Sequence, residues 1–174
     1  MKRGSRRAGG SGGMTLVEVV TVIVVVAILL VLVLGGLGKF RERAEGIKCM
    51  SNMRNLHVSL ASYLNDRKNW PQCPIELGDE GYDAWWLNEM TPYGIGKETW
   101  QCPSMAAEGA ANGPDSEFKI HYIPTPFDEN AMTPFRWSTQ PWLVEIGDNH
   151  GKGNLVIFPD GSVRSFDELM PKQP

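Results

Sequence analysis

Residues 13–38 read GMTLVEVVTVIVVVAILLVLVLGGLG, and this stretch decides the fold. From 19 to 38 there are twenty residues without a charge, most of them Val, Leu or Ile. As a helix such a run extends about 30 Å, the thickness of a bilayer hydrocarbon core. Its β-branched residues favour strand in water. In lipid the helix wins, because every backbone amide must be satisfied within its own segment.

Outward from that run, the charge pattern sets a direction. Residues 1–13 hold Lys2, Arg3, Arg6 and Arg7 and no acid, which predicts an N-terminus in the cytoplasm and the bulk of the chain outside it. On the far side Lys39, Arg41 and Arg43 interleave with Glu42 and Glu45, so the leader has the stronger claim. Across all 174 residues there are 17 Lys+Arg against 20 Asp+Glu, a net −3. Without the leader, 13 bases face 20 acids, a net −7. An acidic body argues against nucleic-acid binding, which needs a basic footprint. A multi-spanning membrane protein is also excluded, since only one segment is long and apolar enough to cross a bilayer. A cleaved secretory signal fits poorly, because its apolar core runs to about 7–15 residues and ends in a small-x-small site. Ser5-Arg6-Arg7 hints at a twin-arginine signal but lacks the apolar start, and no cysteine near the end of the run suits a lipoprotein.

Glu18 is out of place in a plain anchor. It lies one residue before the uncharged run, with Met14, Leu16 and Val17 already apolar ahead of it. An unpaired carboxylate at the bilayer centre costs about 2.5–3.5 kcal/mol or more, and less near the interface. Either Glu18 snorkels to the headgroups or it has a partner.

Gly13-Met14-Thr15-Leu16-Val17-Glu18, behind a basic leader and ahead of a long apolar helix, resembles the processing site of type IV prepilins and type II secretion pseudopilins. The resemblance implies cleavage between Gly13 and Met14 by an aspartic prepilin peptidase and N-methylation of Met14, which stands where phenylalanine is usual. It also implies that Glu18 meets the N-terminal amine of a neighbouring subunit, a pair whose breaking leaves a charge unmatched. Gly35, Gly36 and Gly38 occupy the part of the helix where family members often carry proline. Glycine costs about 1 kcal/mol against alanine in a helix interior, so local loosening is expected there.

Past the apolar run, Ile47, Met50, Met53, Leu56, Leu60 and Leu64 recur at steps of three or four, predicting an amphipathic continuation of one helix over 15–66. Asn69-Trp70-Pro71 ends it. His57 reads as a polar residue at the helix surface. Beyond Pro71 the chain becomes rich in Gly, Pro and Trp, with a short helix predicted near 84–90. Strands are predicted at 118–123 and 142–146. A hairpin is predicted from 154–158 and 162–166 around Pro159-Asp160-Gly161. The predicted fold class is α+β, a long helix with a transmembrane first half and an amphipathic second half packed on a small antiparallel sheet. The resemblance makes this pilin-like. The expected organisation is a cleaved leader (1–13), a transmembrane and filament-core helix (14–38), its amphipathic continuation (39–68) and a periplasmic head (69–174).

Cys49-x2-Asn52-x-Arg54-Asn55-Leu56, Tyr63, Trp100-Gln101-Cys102-Pro103-Ser104, and His150 followed nine residues later by Asp160-Gly161 are similar to pseudopilin-like proteins of planctomycetes and verrucomicrobia. Residues 72–99 and 105–145 carry no such resemblance. No nucleophile accompanies His150 with Asp160 or Asp148, and turn chemistry alone explains Asp160-Gly161, so a structural role outweighs a catalytic one. Asp148, Asn149 and Asp160 offer oxygens to calcium without a spaced loop pattern, and no metal is assigned. An oxidising compartment permits one disulfide among Cys49, Cys73 and Cys102. Because the family pattern includes the counterparts of Cys49 and Cys102, the resemblance favours that pair.

The resemblance thus implies a non-enzymatic pseudopilus subunit without a cofactor. It would sit in the bacterial inner membrane, single-pass, with its N-terminus cytoplasmic and its head periplasmic, until assembly into a filament. Its expected partners are further copies of itself, minor pseudopilins, the prepilin peptidase and an inner-membrane assembly platform, with no nucleic acid. The rival readings are a type IV pilin of a surface fibre and a membrane-anchored enzyme or sugar-binding domain. The last would use Trp85, Trp86, Trp100, Trp137 and Trp142.

Overall fold

The computed structural model describes residues 14–110, 118–130, 132–147 and 153–169, with side chains left aside at 33–37, 39 and 107–110. The leader, including Gly13, and the segment holding Asp148, Asn149 and His150 lie outside the described residues. The chain divides into two units between Phe40 and Arg41. Helix α1 runs Leu16–Arg67, Gly35, Gly36 and Gly38 included, so its helical assignment is not broken at the glycines where loosening was expected.

In the first unit, the fourteen large apolar side chains described between 16 and 32 are all exposed, from 40% at Val19 to 82% at Leu16. They have no apolar and polar side. Among the described residues no helix is long and apolar enough to cross a membrane. The described side chains of this run stop at Leu32, whereas the uncharged run in the sequence stops at Gly38.

In the second unit, α1 is amphipathic in the ordinary way. Met53, Leu56, Leu60 and Leu64 are buried at the predicted three- and four-residue steps and Met50 only partly, while Cys49, Asn52, Ser59 and Tyr63, outside the predicted stripe, share their face. Ile47 does not join them; at 63% exposure it stands outside the core stripe that periodicity predicts. The helix ends one residue later than predicted. Lys68 takes a left-handed φ of 61° and its N–H bonds to Leu64 O at 3.0 Å, which closes the last turn.

The rest of the unit packs on that face. Helix α2 (Tyr82–Met90) buries Tyr82, Trp86 and Met90, and α3 (Pro103–Ala110) follows Cys102. Strands β1 (Tyr122–Pro124), β2 (Leu143–Glu145), β3 (Leu155–Ile157) and β4 (Val163–Ser165) form an antiparallel sheet in chain order. Each is shorter than predicted, and β1 lies later than the predicted 118–123, overlapping it only at Tyr122 and Ile123. Single backbone bonds continue beyond the strand ends, such as Trp142 N–H to Ile157 O at 2.7 Å and Ile146 N–H to His121 O at 2.8 Å. Of two four-residue helices, α4 (Thr133–Arg136) lies in the β1–β2 connection and α5 (Phe166–Leu169) follows β4. Tyr122 pairs with Glu145, Leu143 with Ile157 and Leu155 with Ser165, and all six are buried. The architecture is therefore α+β, a helix beside a four-stranded meander.

Tryptophan fills the space between them. Trp70, Trp100 and Trp142 are at most 1% exposed and Trp86 is 3%; Trp85 is half-buried against the core, and Trp137 is exposed. The indole N–H of Trp142 donates to Pro134 O at 3.0 Å. Aromatic payload of this kind dominates core energetics. It also takes Trp86, Trp100 and Trp142 away from any sugar-stacking platform.

Candidate functional site

Thr15 and Glu18 form a reciprocal cap at the start of α1. The Thr15 N–H and hydroxyl donate to Glu18 Oε2 at 2.8 and 2.9 Å, and the Glu18 N–H donates to Thr15 Oγ1 at 3.3 Å. This is a capping box, which satisfies two otherwise orphaned amides. Its signature, Thr-x-x-Glu ahead of an apolar run, stands in the sequence at Thr15–Glu18. Glu18 is thus held by its own helix, and Met14 ahead of it is 70% exposed.

At the other end of the chain, Asp160 and Gly161 make the β3–β4 turn. The Ser162 N–H donates to Asp160 Oδ1 at 2.9 Å, Gly161 N–H to Phe158 O at 2.9 Å, and Gly161 takes a φ of 76°. The side chain packed on this turn is His57. Its Nε2 lies 3.0 Å from Pro159 O, and its ring stacks on Trp142 with centroids 4.5 Å apart. His57 is therefore half-buried and makes specific contacts, a correction to its reading as a surface polar residue. Burial pushes its imidazole below the usual range.

The densest chemistry lies in the core between α1 and the sheet. The Cys49 thiol donates to Cys102 Sγ at 2.8 Å, and both residues are fully buried. Ligand atoms of Cys49, Cys102 and Glu145 all lie within 4.8 Å of one another. Glu145 is 1% exposed and its Oε2 accepts the Leu155 N–H at 3.3 Å. The Cys102 N–H donates to His121 Nδ1 at 3.0 Å, so that nitrogen is unprotonated, in keeping with burial pushing the imidazole down. The bond from Cys49 holds the Cys102 thiol below its usual range against burial, helped by the N–H groups of Met105 and Ser104 and by the Glu145 side chain. The same shared proton, with burial, pushes Cys49 up. Cys73 stands apart, half-buried.

Two carbonyls hold the segment that delivers Cys102. Buried Asn52 donates its amide to Glu98 O at 3.2 Å and Gln101 O at 3.1 Å, one turn of α1 along from Cys49. Sequence reasoning quoted Asn52 as part of a motif without a role. It missed Glu145 altogether, although period-2 alternation in Leu143-Val144-Glu145 places the carboxylate on the same face as Leu143.

Among the described residues, this is the one group of three His, Cys, Asp or Glu side chains close enough to hold a metal. Zinc–sulfur bonds of about 2.3 Å in a tetrahedral site set two thiolates about 3.8 Å apart. The sulfurs here are 2.8 Å apart, so a metal would have to spread them. Of the oxygens considered for calcium, Asp160 Oδ1 is engaged within its own turn. The chain matches no protein-family model, no curated protein and no solved structure.

Proposed function

We propose that this chain is a filament-forming subunit of the type II secretion pseudopilus kind, held in the inner membrane by residues 19–38 until it is assembled. The observation that supports this reading is the apolar surface of residues 16–32, exposed on every side of α1. Covering a Val, Leu or Ile side chain is worth about 1.5–3 kcal/mol, so fourteen of them represent a gross gain of about 20–40 kcal/mol. Lipid supplies that cover first, and α1 helices of neighbouring copies replace it in a filament. Each helix then trades one apolar environment for another, so the charge at Glu18 governs register more than overall affinity.

The reading requires a peptidase to cut between Gly13 and Met14 and free an amine beside the carboxylate. Intact mass and N-terminal sequencing of the membrane-derived protein test this. A chain that begins at a methylated Met14 is the expected result; a chain retaining residues 1–13 would overturn the proposal.

A further inference from the structure

We infer that the outer face of α1 over residues 43–58 is a docking surface for a second copy of this chain, and that the segment it receives is the acidic turn at residues 76–80. That the partner is another copy rests on the filament reading; the two surfaces stand without it.

Helical geometry sets the first surface. Steps of three and four place Arg43, Ile47, Ser51, Arg54 and Val58 on one side of α1, opposite the buried Met53, Leu56 and Leu60. All five are exposed, Ile47 and Val58 at 63%. From 43 to 65 every exposed charge on the helix is basic, namely Arg43, Lys48 and Arg54. The one acid in that span, Glu45, is turned to the Arg41 guanidinium and the Ser104 hydroxyl, each at 2.8 Å. Arg43, Lys48 and Arg54 make no ion pair among the described residues.

The second surface carries the opposite charge. From 69 to 96 the chain holds Glu76, Asp79, Glu80, Asp83 and Glu89 and no base. Residues 76–80 are all exposed, and Gly78 takes a φ of 96° in a turn that the Asp79 N–H closes on Glu76 O at 3.1 Å. Leu77 stands in this turn among the acids, 62% exposed. An apolar knob flanked by carboxylates is the complement of Ile47 and Val58 flanked by arginines. Covering the apolar side chains supplies attraction, and the charges decide which patches meet. Two α1 faces laid on each other would instead set arginine against arginine. Because the matching surfaces differ, each copy offers its turn to one neighbour and its helix face to another, a heterologous contact that propagates.

The test uses the processed full-length chain, half of it labelled with 15N, assembled from detergent and treated with a carbodiimide that joins touching lysines and carboxylates. Mass spectrometry should find Lys48 linked to Glu76, Asp79 or Glu80 between labelled and unlabelled copies. Arg43→Glu with Arg54→Glu should lower the pelleted fraction about ten-fold or more, and adding Glu76→Arg with Asp79→Arg should restore most of it. Undiminished pelleting after the arginine reversal, or links within single copies only, would overturn the contact and leave the filament reading standing. Loss without rescue would overturn it in favour of another partner for the arginines. An unsubstituted chain that begins at Met14 yet never pellets would fail the filament reading, and the identity of the partner with it.

Discussion

In the proposed filament Glu18 would be drawn two ways, by the cap it makes with Thr15 and by the amine of a neighbour. Glutamine separates the two demands, since it caps as glutamate does but carries no charge. Glu18→Gln should therefore leave the helix start and peptidase processing intact while filament yield, read by pelleting of sheared material, falls sharply. Glu18→Ala should lose the cap as well, at about 0.5–2 kcal/mol of local helix stability. Normal filaments from Glu18→Gln would remove the ion pair from the account. A second residue-scale prediction concerns His57 and His121, whose imidazoles burial holds below the usual range, with Asp160 and Asp83 acting weakly the other way. The unfolded chain then binds more protons than the folded one between the lowered values and the ordinary value of about 6.5. Stability is full above that ordinary value and declines as pH falls through the window. Denaturant midpoints at pH 7.5 and pH 5 should show the decline, and His57→Gln should make it shallower.

At the scale of elements, α1 beyond Arg41 presents a buried and an exposed face, and the two should respond very differently to truncation. Leu56 is fully buried, so Leu56→Ala should cost about 2–5 kcal/mol. Val58, two residues on, is 63% exposed, and Val58→Ala should stay within about 0.5 kcal/mol. Urea unfolding of the two variants gives the comparison directly. In the β3–β4 turn, a Cβ on Gly161 would meet His57 at 3.6 Å, an ordinary contact. Its φ of 76° is the obstacle, so Gly161→Ala should cost about 1–2 kcal/mol through backbone strain alone. The hairpin was legible because Pro-Asp-Gly declares its own turn. The strand ends were not, because pairing with a neighbour rather than local composition decides where a strand stops.

For the molecule as a whole, the proposed filament requires that residues 16–32 never face water for long. Gly13→Val should block maturation, seen as an unshifted band on a gel, and should leave the protein in the membrane fraction. The same scale shows why the Trp-rich segments were ambiguous. A tryptophan that stacks on a ligand and one that fills a core are the same letter, and only packing distinguishes Trp142, stacked on His57, from exposed Trp137. Ile47 is the converse case. It keeps the helical period of the core stripe but lies on the exposed side of that turn of α1, whose other residues meet the rest of the unit: Cys49 is fully buried and Glu45 accepts the Ser104 hydroxyl at 2.8 Å.

Sequence alone determined the long helix, its change from uniformly apolar to amphipathic, the stop before Pro71 and the β3–β4 hairpin. Each depends on neighbours within a few positions, where periodicity, charge and turn chemistry act. Only the tertiary structure brought Cys49 to Cys102 across 53 residues and set Glu145 beside them. It also stacked His57 on Trp142 and gave Asn52 its two carbonyls. Those meetings follow from how the sheet lies on the helix. No local pattern encodes that placement, because it is settled by the combined burial of side chains distant in the chain.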